Sequence, residues 1–131
     1  LCSIDFKNNK LQYAGANNPL WIFRKNNTNY ELIEIKADKQ PIGKYHDRKK
    51  YTNHSIDLHT GDTIYLFSDG FADQFGGENG KKLKYSRMKE LLFLVQDKTM
   101  REQYHYLMQE FNKWKGENEQ VDDVCVLGVK I

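Results

Sequence analysis

The hydrophobic period of this chain changes after a glycine-rich stretch, and that change constrains the fold more than any other feature. As far as Ser68 the apolar residues alternate with polar ones or run in short blocks; beyond the glycines at 76, 77 and 80 they recur at helical spacing. A period of two belongs to strands and a period of about 3.6 to helices. The chain therefore reads as several strands, then two helices, then one strand, which is an α+β layout with a mainly antiparallel sheet.

The strand half can be followed in order. Cys2, Ile4 and Phe6 alternate with polar neighbours, Lys7-Asn8-Asn9-Lys10 turns, and residues 11–14 return as a hairpin partner. The loop Gly15-Ala16-Asn17-Asn18-Pro19 follows, then residues 20–23 and 31–35 pair around an asparagine-rich tip. The polar stretch 36–50 holds one structured turn, Gln40-Pro41-Ile42-Gly43. Residues 55–58 resume a strand, Thr60-Gly61-Asp62 turns it, and residues 63–68 are apolar on both faces, which predicts a central strand.

In the helical half, Met88, Leu91, Leu92 and Val95 fall at i, i+3, i+4 and i+7, with Ser86 placed to cap the start. Thr99-Met100-Arg101-Glu102 is a capping-box pattern. Tyr104, Leu107, Met108 and Phe111 repeat the stripe behind it, and Gly116 is a natural stop after Lys113 and Lys115. Residues 124–131, apolar on both faces, predict a closing strand.

Composition now excludes several classes. The 131 residues amount to about one domain. Eight Tyr, seven Phe and two Trp argue against disorder, because disordered chains are poor in aromatics. Twenty basic residues against eighteen acidic ones leave a net charge of +2, too balanced and too dispersed for a nucleic-acid or membrane surface. No stretch of about 18 apolar residues exists to span a bilayer. Cys2 and Cys125 lie in apolar runs, which predicts buried thiols in a reducing, cytoplasmic compartment. The chain opens in strand-like sequence without an initiator Met, and is expected to be part of something longer.

Chemistry concentrates in two acidic places beside the most apolar strands. Asp69 ends the central strand and Gly70 follows, removing side-chain bulk so that a ligand or metal can approach the backbone. Asp122 and Asp123 precede the last strand. Carboxylates held near a sheet rim are hard oxygen donors suited to Mg²⁺ or Mn²⁺, and a like-charged cluster in a partly dry place calls for a cation. Asp73, four residues past Asp69, is an outer candidate. Plain structure explains the same residues: Asp-Gly after a strand is ordinarily a turn, and paired Asp before a strand protects an edge. Spacing alone leaves both readings open.

Other groups carry less. Gly76-Gly77-Glu78-Asn79-Gly80-Lys81-Lys82 misses the spacing of a phosphate-binding loop and is expected to be a mobile loop. His46, His54, His59 and His105 lack metal-ligand spacing. Ser68 lacks the glycine context of a nucleophile. Tyr13, Trp21, Phe23 and Tyr30 could imitate a base-stacking platform, but no basic rim accompanies them.

Taken in order, residues 13–20, 40–43, 61–70 and 122–124 resemble the C-terminal part of the metal-dependent protein phosphatases of type 2C, in their SpoIIE-like bacterial branch. The resemblance covers nearly the whole chain. It implies an antiparallel β-sandwich flanked by helices, here a partial one with the two helices packed on one sheet face. Residues 1–131 would be a single C-terminal fragment whose N-terminal portion, bearing the family's early Asp-Gly motifs, lies upstream. The implied activity is hydrolysis of a phosphoserine or phosphothreonine monoester by a metal-activated water, without a covalent phosphoenzyme. Two Mn²⁺ or Mg²⁺ ions are implied for the intact domain and weak or absent binding for this fragment.

Residue by residue, the resemblance makes Asp69 and Asp122 metal ligands. Asp123 becomes a supporting residue, Asp73 a ligand of a third, weaker metal, and Gly70 the glycine of the tight turn presenting Asp69. The implied partners are a phosphoprotein substrate, such as an anti-sigma-factor antagonist, and an upstream sensor or regulatory domain in the same chain. An incomplete sandwich exposes an edge that invites a homodimer. The rival reading is a non-catalytic phosphatase-like module that binds a regulatory protein partner. A third, an aromatic-rich β-domain binding nucleic acid, predicts salt-sensitive oligonucleotide binding.

Overall fold

The computed structural model describes residues 1–43, 46–47 and 49–131. It divides into two compact units, residues 1–66 with 130–131, and residues 67–129.

The first unit is the strand half. β1 (Cys2–Asp5), β2 (Lys10–Tyr13) and β5 (His54–Asp57) form one antiparallel sheet in the order β1-β2-β5. β3 (Leu20–Asn26) pairs antiparallel with β4 (Asn29–Ile35) on one side and β6 (Thr63–Phe67) on the other. The register matches apolar with apolar: Ile4 faces Leu11, Leu11 faces Ile56, and Ile22 faces both Ile33 and Ile64. Leu11, Tyr13, Leu20, Ile22, Leu58 and Ile64 form a buried cluster, with Cys2, Ile4, Ile33, Ile35 and Ile56 packed against it. Inward faces of both sheets thus share one core, which is the arrangement of a β-sandwich. Each fully buried aliphatic side chain there contributes about 1.5–3 kcal/mol relative to exposure.

β3 is buried on both faces over its first four residues. Trp21 and Phe23 point away from that cluster, and Phe23 meets Tyr65 edge-on at 5.5 Å between ring centres. The expected strand through Phe6 is shorter than its alternation suggested. Asp5 accepts from the Lys7 and Asn8 backbone N–H groups, so the chain turns at once and Phe6 is exposed. The expected turn at Gln40 is present. The buried Gln40 side chain exchanges two hydrogen bonds with the Lys49 backbone, which closes the loop.

The second unit is the helical half. It contains α1 (Gly70–Asp73), a short hairpin of β7 (Phe75–Gly76) and β8 (Lys81–Lys82), α2 (Lys84–Leu94), α3 (Met100–Lys115) and all but the last residue of β9 (Val126–Lys130). Its buried apolar residues are Phe67, Phe71, Ala72, Leu83, Met88, Leu91, Leu92, Val95, Leu107 and Phe111, and the tilted rings of Phe71 and Phe111 lie 5.1 Å apart between centres. The capping box of α3 is complete: Thr99 Oγ accepts from the Glu102 N–H, and the Glu102 carboxylate accepts from the Thr99 N–H at 2.8 Å. Gly116 ends the helix at φ 54°, where a side chain would be strained.

Several expectations fail here for local reasons. Ser86 lies inside the first turn of α2 and not at its cap, because the helix already starts at Lys84 with no side-chain cap. The buried stripe of α3 is Gln103, Leu107 and Phe111; Tyr104 and Met108 are exposed, so the stripe is rotated by one residue at its start. Residues 76–82 are a hairpin, not a mobile loop. Gly76 lies against the Trp114 carbonyl, where no Cβ would fit, and the Gly77 N–H donates to that carbonyl at 2.8 Å. The closing strand is not buried on both faces: Leu127 and Cys125 are exposed, and both cysteines are free thiols.

Candidate functional site

Asp69 stands at the junction between β6 and α1. Its backbone carbonyl accepts from the Asp73 N–H at 2.9 Å, closing the single turn of α1. Its carboxylate is exposed and makes no hydrogen bond or ion pair among the described residues. Unlike a capping aspartate, it does not fold back on the helix N–H groups. The side chain is left free for something else.

The second acidic segment is docked against this turn. Ser68 Oγ donates to the Asp123 carbonyl at 2.7 Å and accepts from the Cys125 N–H at 2.9 Å, while the Ser68 N–H donates to the Cys125 carbonyl. Gly70 is buried directly beneath Asp123: a Cβ there would collide with the Asp123 carbonyl oxygen and lie 2.9 Å from its carbon. Gly70 has no positive φ. Its requirement is space rather than the tight turn expected of it, since only a residue without a side chain permits this approach.

Asp122 and Asp123 are both exposed. One Asp122 carboxylate oxygen accepts from the Asp123 N–H at 2.7 Å, and neither side chain has a cationic partner among the described residues. Asp73 differs. Its carboxylate forms an ion pair with Lys82 Nζ at 2.8 Å, and the same ammonium lies 5.8 Å from the centre of the Phe75 ring. The lysine already neutralises the residue assigned by resemblance to a third metal.

The donor chemistry fits a hard divalent cation in kind. Asp69, Asp122 and Asp123 offer oxygen, and none of them has a cationic partner among the described residues. The number falls short: among the described residues no group of three or more His, Cys, Asp or Glu side chains is gathered closely enough to hold a metal ion. The structure docks the segment of Asp69 and Gly70 on that of Asp122 and Asp123, while Asp73 is engaged by Lys82.

Three residues escaped the sequence reading. Ser68, set aside as a nucleophile, is the clip between the two acidic segments. Gln74, fully buried, bonds to the carbonyl of Glu119. Tyr85 of α2 packs on Phe67 at 5.9 Å; burial, and then the charges of Asp69 and Asp73, push its hydroxyl pKa up. Only Ser68 had a usable signal, its place immediately before Asp-Gly.

Residues 1–131 match the family model described as Stage II sporulation protein E (SpoIIE). No curated protein matches the chain. Among solved structures, the SiaA-PP2C domain of Pseudomonas aeruginosa is 30% identical, with a TM-score of 0.84 over 98% of this chain and 49% of that one. The phosphatase domain of the cell fate determinant SpoIIE from Bacillus subtilis (Mn presoaked) is 20% identical, with a TM-score of 0.69 over 100% of this chain and 55% of that one. A structure of the PP2C phosphatase domain and a fragment of the regulatory domain of that protein gives 20% identity and a TM-score of 0.74, over 99% of this chain and 36% of that one. At 20% identity the likeness is one of fold. The chain spans about half the length of the first two structures it matches. The α+β class and its antiparallel sheets agree with these matches, and with the family model covering every residue, this chain belongs to the SpoIIE family.

Proposed function

We propose that this chain is the C-terminal part of a metal-dependent phosphatase domain that removes phosphate from serine or threonine in a protein. The observation that carries the reading is the docking of Ser68-Asp69-Gly70 on Asp122-Asp123, which leaves the Asp69 carboxylate exposed and without a partner among the described residues.

In this reading Asp69 and Asp122 hold the cations, and Asp123 supports them. Ser68 keeps the two segments in register, and Gly70 keeps them close. When bound, Mn²⁺ or Mg²⁺ supplies activation of a water and polarisation of the phosphoryl oxygens. The rest of the ligand set belongs to sequence upstream of residue 1. The isolated 131 residues, with half a ligand set, bind metal loosely and turn over little or no substrate. The phosphoprotein substrate is a regulator of the anti-sigma-factor antagonist kind, and the upstream sequence carries a sensor or regulatory domain. The protein is cytoplasmic. No helix among the described residues is long and apolar enough to cross a membrane.

A second reading, a non-catalytic module that binds a regulatory protein, has one observation in its favour: the Lys82 ammonium occupies Asp73. The deciding experiment is Mn²⁺-dependent hydrolysis of p-nitrophenyl phosphate by the natural chain extended upstream, wild type beside Asp69→Asn. Activity that collapses in the variant supports the phosphatase reading. A folded wild type without activity favours the binding module, and equal activity in both removes Asp69 from the site.

A further inference from the structure

The segment from Gly116 to Asp123 is exposed throughout and has no regular structure beyond a turn, yet it carries Asp122. Most of its hydrogen bonds are local, as between Asn118 and Lys115 or Gln120 and Asp122. Two side chains tie it to the α1 turn. Ser68 holds Asp123 and Cys125 at one end. At the other end, Gln74 Nε2 donates to the Glu119 carbonyl at 2.9 Å and to the Phe75 carbonyl at 3.0 Å. Ser68 precedes Asp69 and Gln74 follows Asp73, so the two clamps bracket α1 on one side and Asp122 on the other.

Gln74 is itself held rigidly. It is 0% exposed, and its own carbonyl accepts from the Trp114 indole N–H at 3.0 Å and from the Leu83 N–H at 2.9 Å. Its Oε1 is buried without a hydrogen-bond partner among the described residues. An amide buried with an unsatisfied oxygen costs free energy that an apolar residue of similar size would avoid. The two carbonyls that Nε2 satisfies give the polar side chain a reason to be there.

We propose that Gln74 is a positioning residue for the metal site, fixing the Glu119 end of the segment so that Asp122 is held beside the Asp69 turn. This rests on the phosphatase reading above. Gln74 touches neither substrate nor metal; it acts through the Glu119 carbonyl. Residues that orient metal ligands from outside are worth about 10–100-fold in affinity or activity.

The test uses the natural chain extended upstream, as wild type, Gln74→Met, Gln74→Glu and Asp69→Asn. Mn²⁺ binding is followed by electron paramagnetic resonance and p-nitrophenyl phosphate kinetics are measured, with circular dichroism confirming the fold. Gln74→Met removes the donor at nearly constant volume. It is expected to weaken Mn²⁺ binding about 10-fold or more and to lower kcat at saturating Mn²⁺ with KM unchanged. A merely structural role would lower the melting temperature and leave Mn²⁺ affinity alone. If Gln74→Met does not fold, Gln74→Glu carries the same test: it keeps the shape and leaves at most one O–H donor for the two carbonyls. Wild-type Mn²⁺ affinity in a folded Gln74 variant, beside weakened binding in Asp69→Asn, overturns this inference and leaves the phosphatase reading standing. Wild-type affinity in Asp69→Asn overturns both.

Discussion

The two ends of β6 carry the same residue in opposite circumstances. Asp62, just before the strand, is 1% exposed and saturated: Arg24 donates to it through Nε at 3.0 Å and Nη2 at 2.7 Å, and the His59 N–H donates at 2.9 Å. Hydrogen bonding to Asp62 also raises the Arg24 pKa. Asp69, just after the strand, is exposed and its carboxylate has no hydrogen-bond partner among the described residues. One carboxylate is spent on the fold; the other has no partner among the described residues, and in the proposed function it holds a cation. A buried charge must be paired, whereas an exposed unpaired one costs the fold little and stays available.

The sharpest way to break that contrast is to remove Asp62. Asp62→Ala strands the Arg24 guanidinium and is expected to lower stability by about 3 kcal/mol, the low end for a broken buried pair because Arg24 keeps some contact with water. Urea unfolding measures this; a loss under about 1 kcal/mol would mean the pair is structurally idle. Asp69→Asn should show the reverse. Its stability stays within about 0.5 kcal/mol of wild type. Mn²⁺-dependent activity of the extended chain falls about 100-fold or more, beyond what even an outer partner of a metal ligand costs. Equal melting curves with unequal activity are the pattern to find.

Gly70→Ala probes the contact between the segments. Its Cβ meets the Asp123 carbonyl, so an overpacking loss of about 1–3 kcal/mol is expected. A neutral result would show that the Asp122 segment yields easily. The smallest effect concerns Glu102, an exposed carboxylate that nevertheless has partners. Side-chain and then backbone hydrogen bonds with Thr99 hold its pKa below the ordinary 4.5. A depressed carboxylate lends stability above its unfolded pKa and loses it as pH falls through the folded one. The capping box should therefore persist at pH 4.5 and weaken only in more acidic solution. A carboxyl NMR titration with a midpoint at or above 4.5 would show that the box does not form.

Much of the fold was legible because local rules and tertiary packing agree. Ile4, Leu11 and Ile56 lie where two-residue alternation puts them, and Met88, Leu91, Leu92 and Val95 are all buried as helical spacing requires. The Thr99 and Glu102 box and the Gly116 stop are short-range signals that need no distant partner. Legibility ended where a distant group decided the outcome. The β7–β8 hairpin depends on the Trp114 carbonyl, to which the Gly77 N–H donates. The exposed Cys125 contradicts its apolar neighbourhood, since periodicity reports which residues could be buried and not which faces find cover.

The candidate site divides along the same line. The sequence by itself determined which carboxylates stand at strand ends: Asp62 after Gly61, Asp69 before Gly70, and the pair Asp122 and Asp123 ahead of the last strand. Only the tertiary structure decided that Arg24 takes Asp62, that Lys82 takes Asp73, and that Ser68 and Gln74 bring the late segment to the α1 turn. The physical reason is that a carboxylate's role is set by what neutralises it. The groups that do so, or that hold it still, lie 9 to 55 residues away in sequence, beyond the reach of any local pattern.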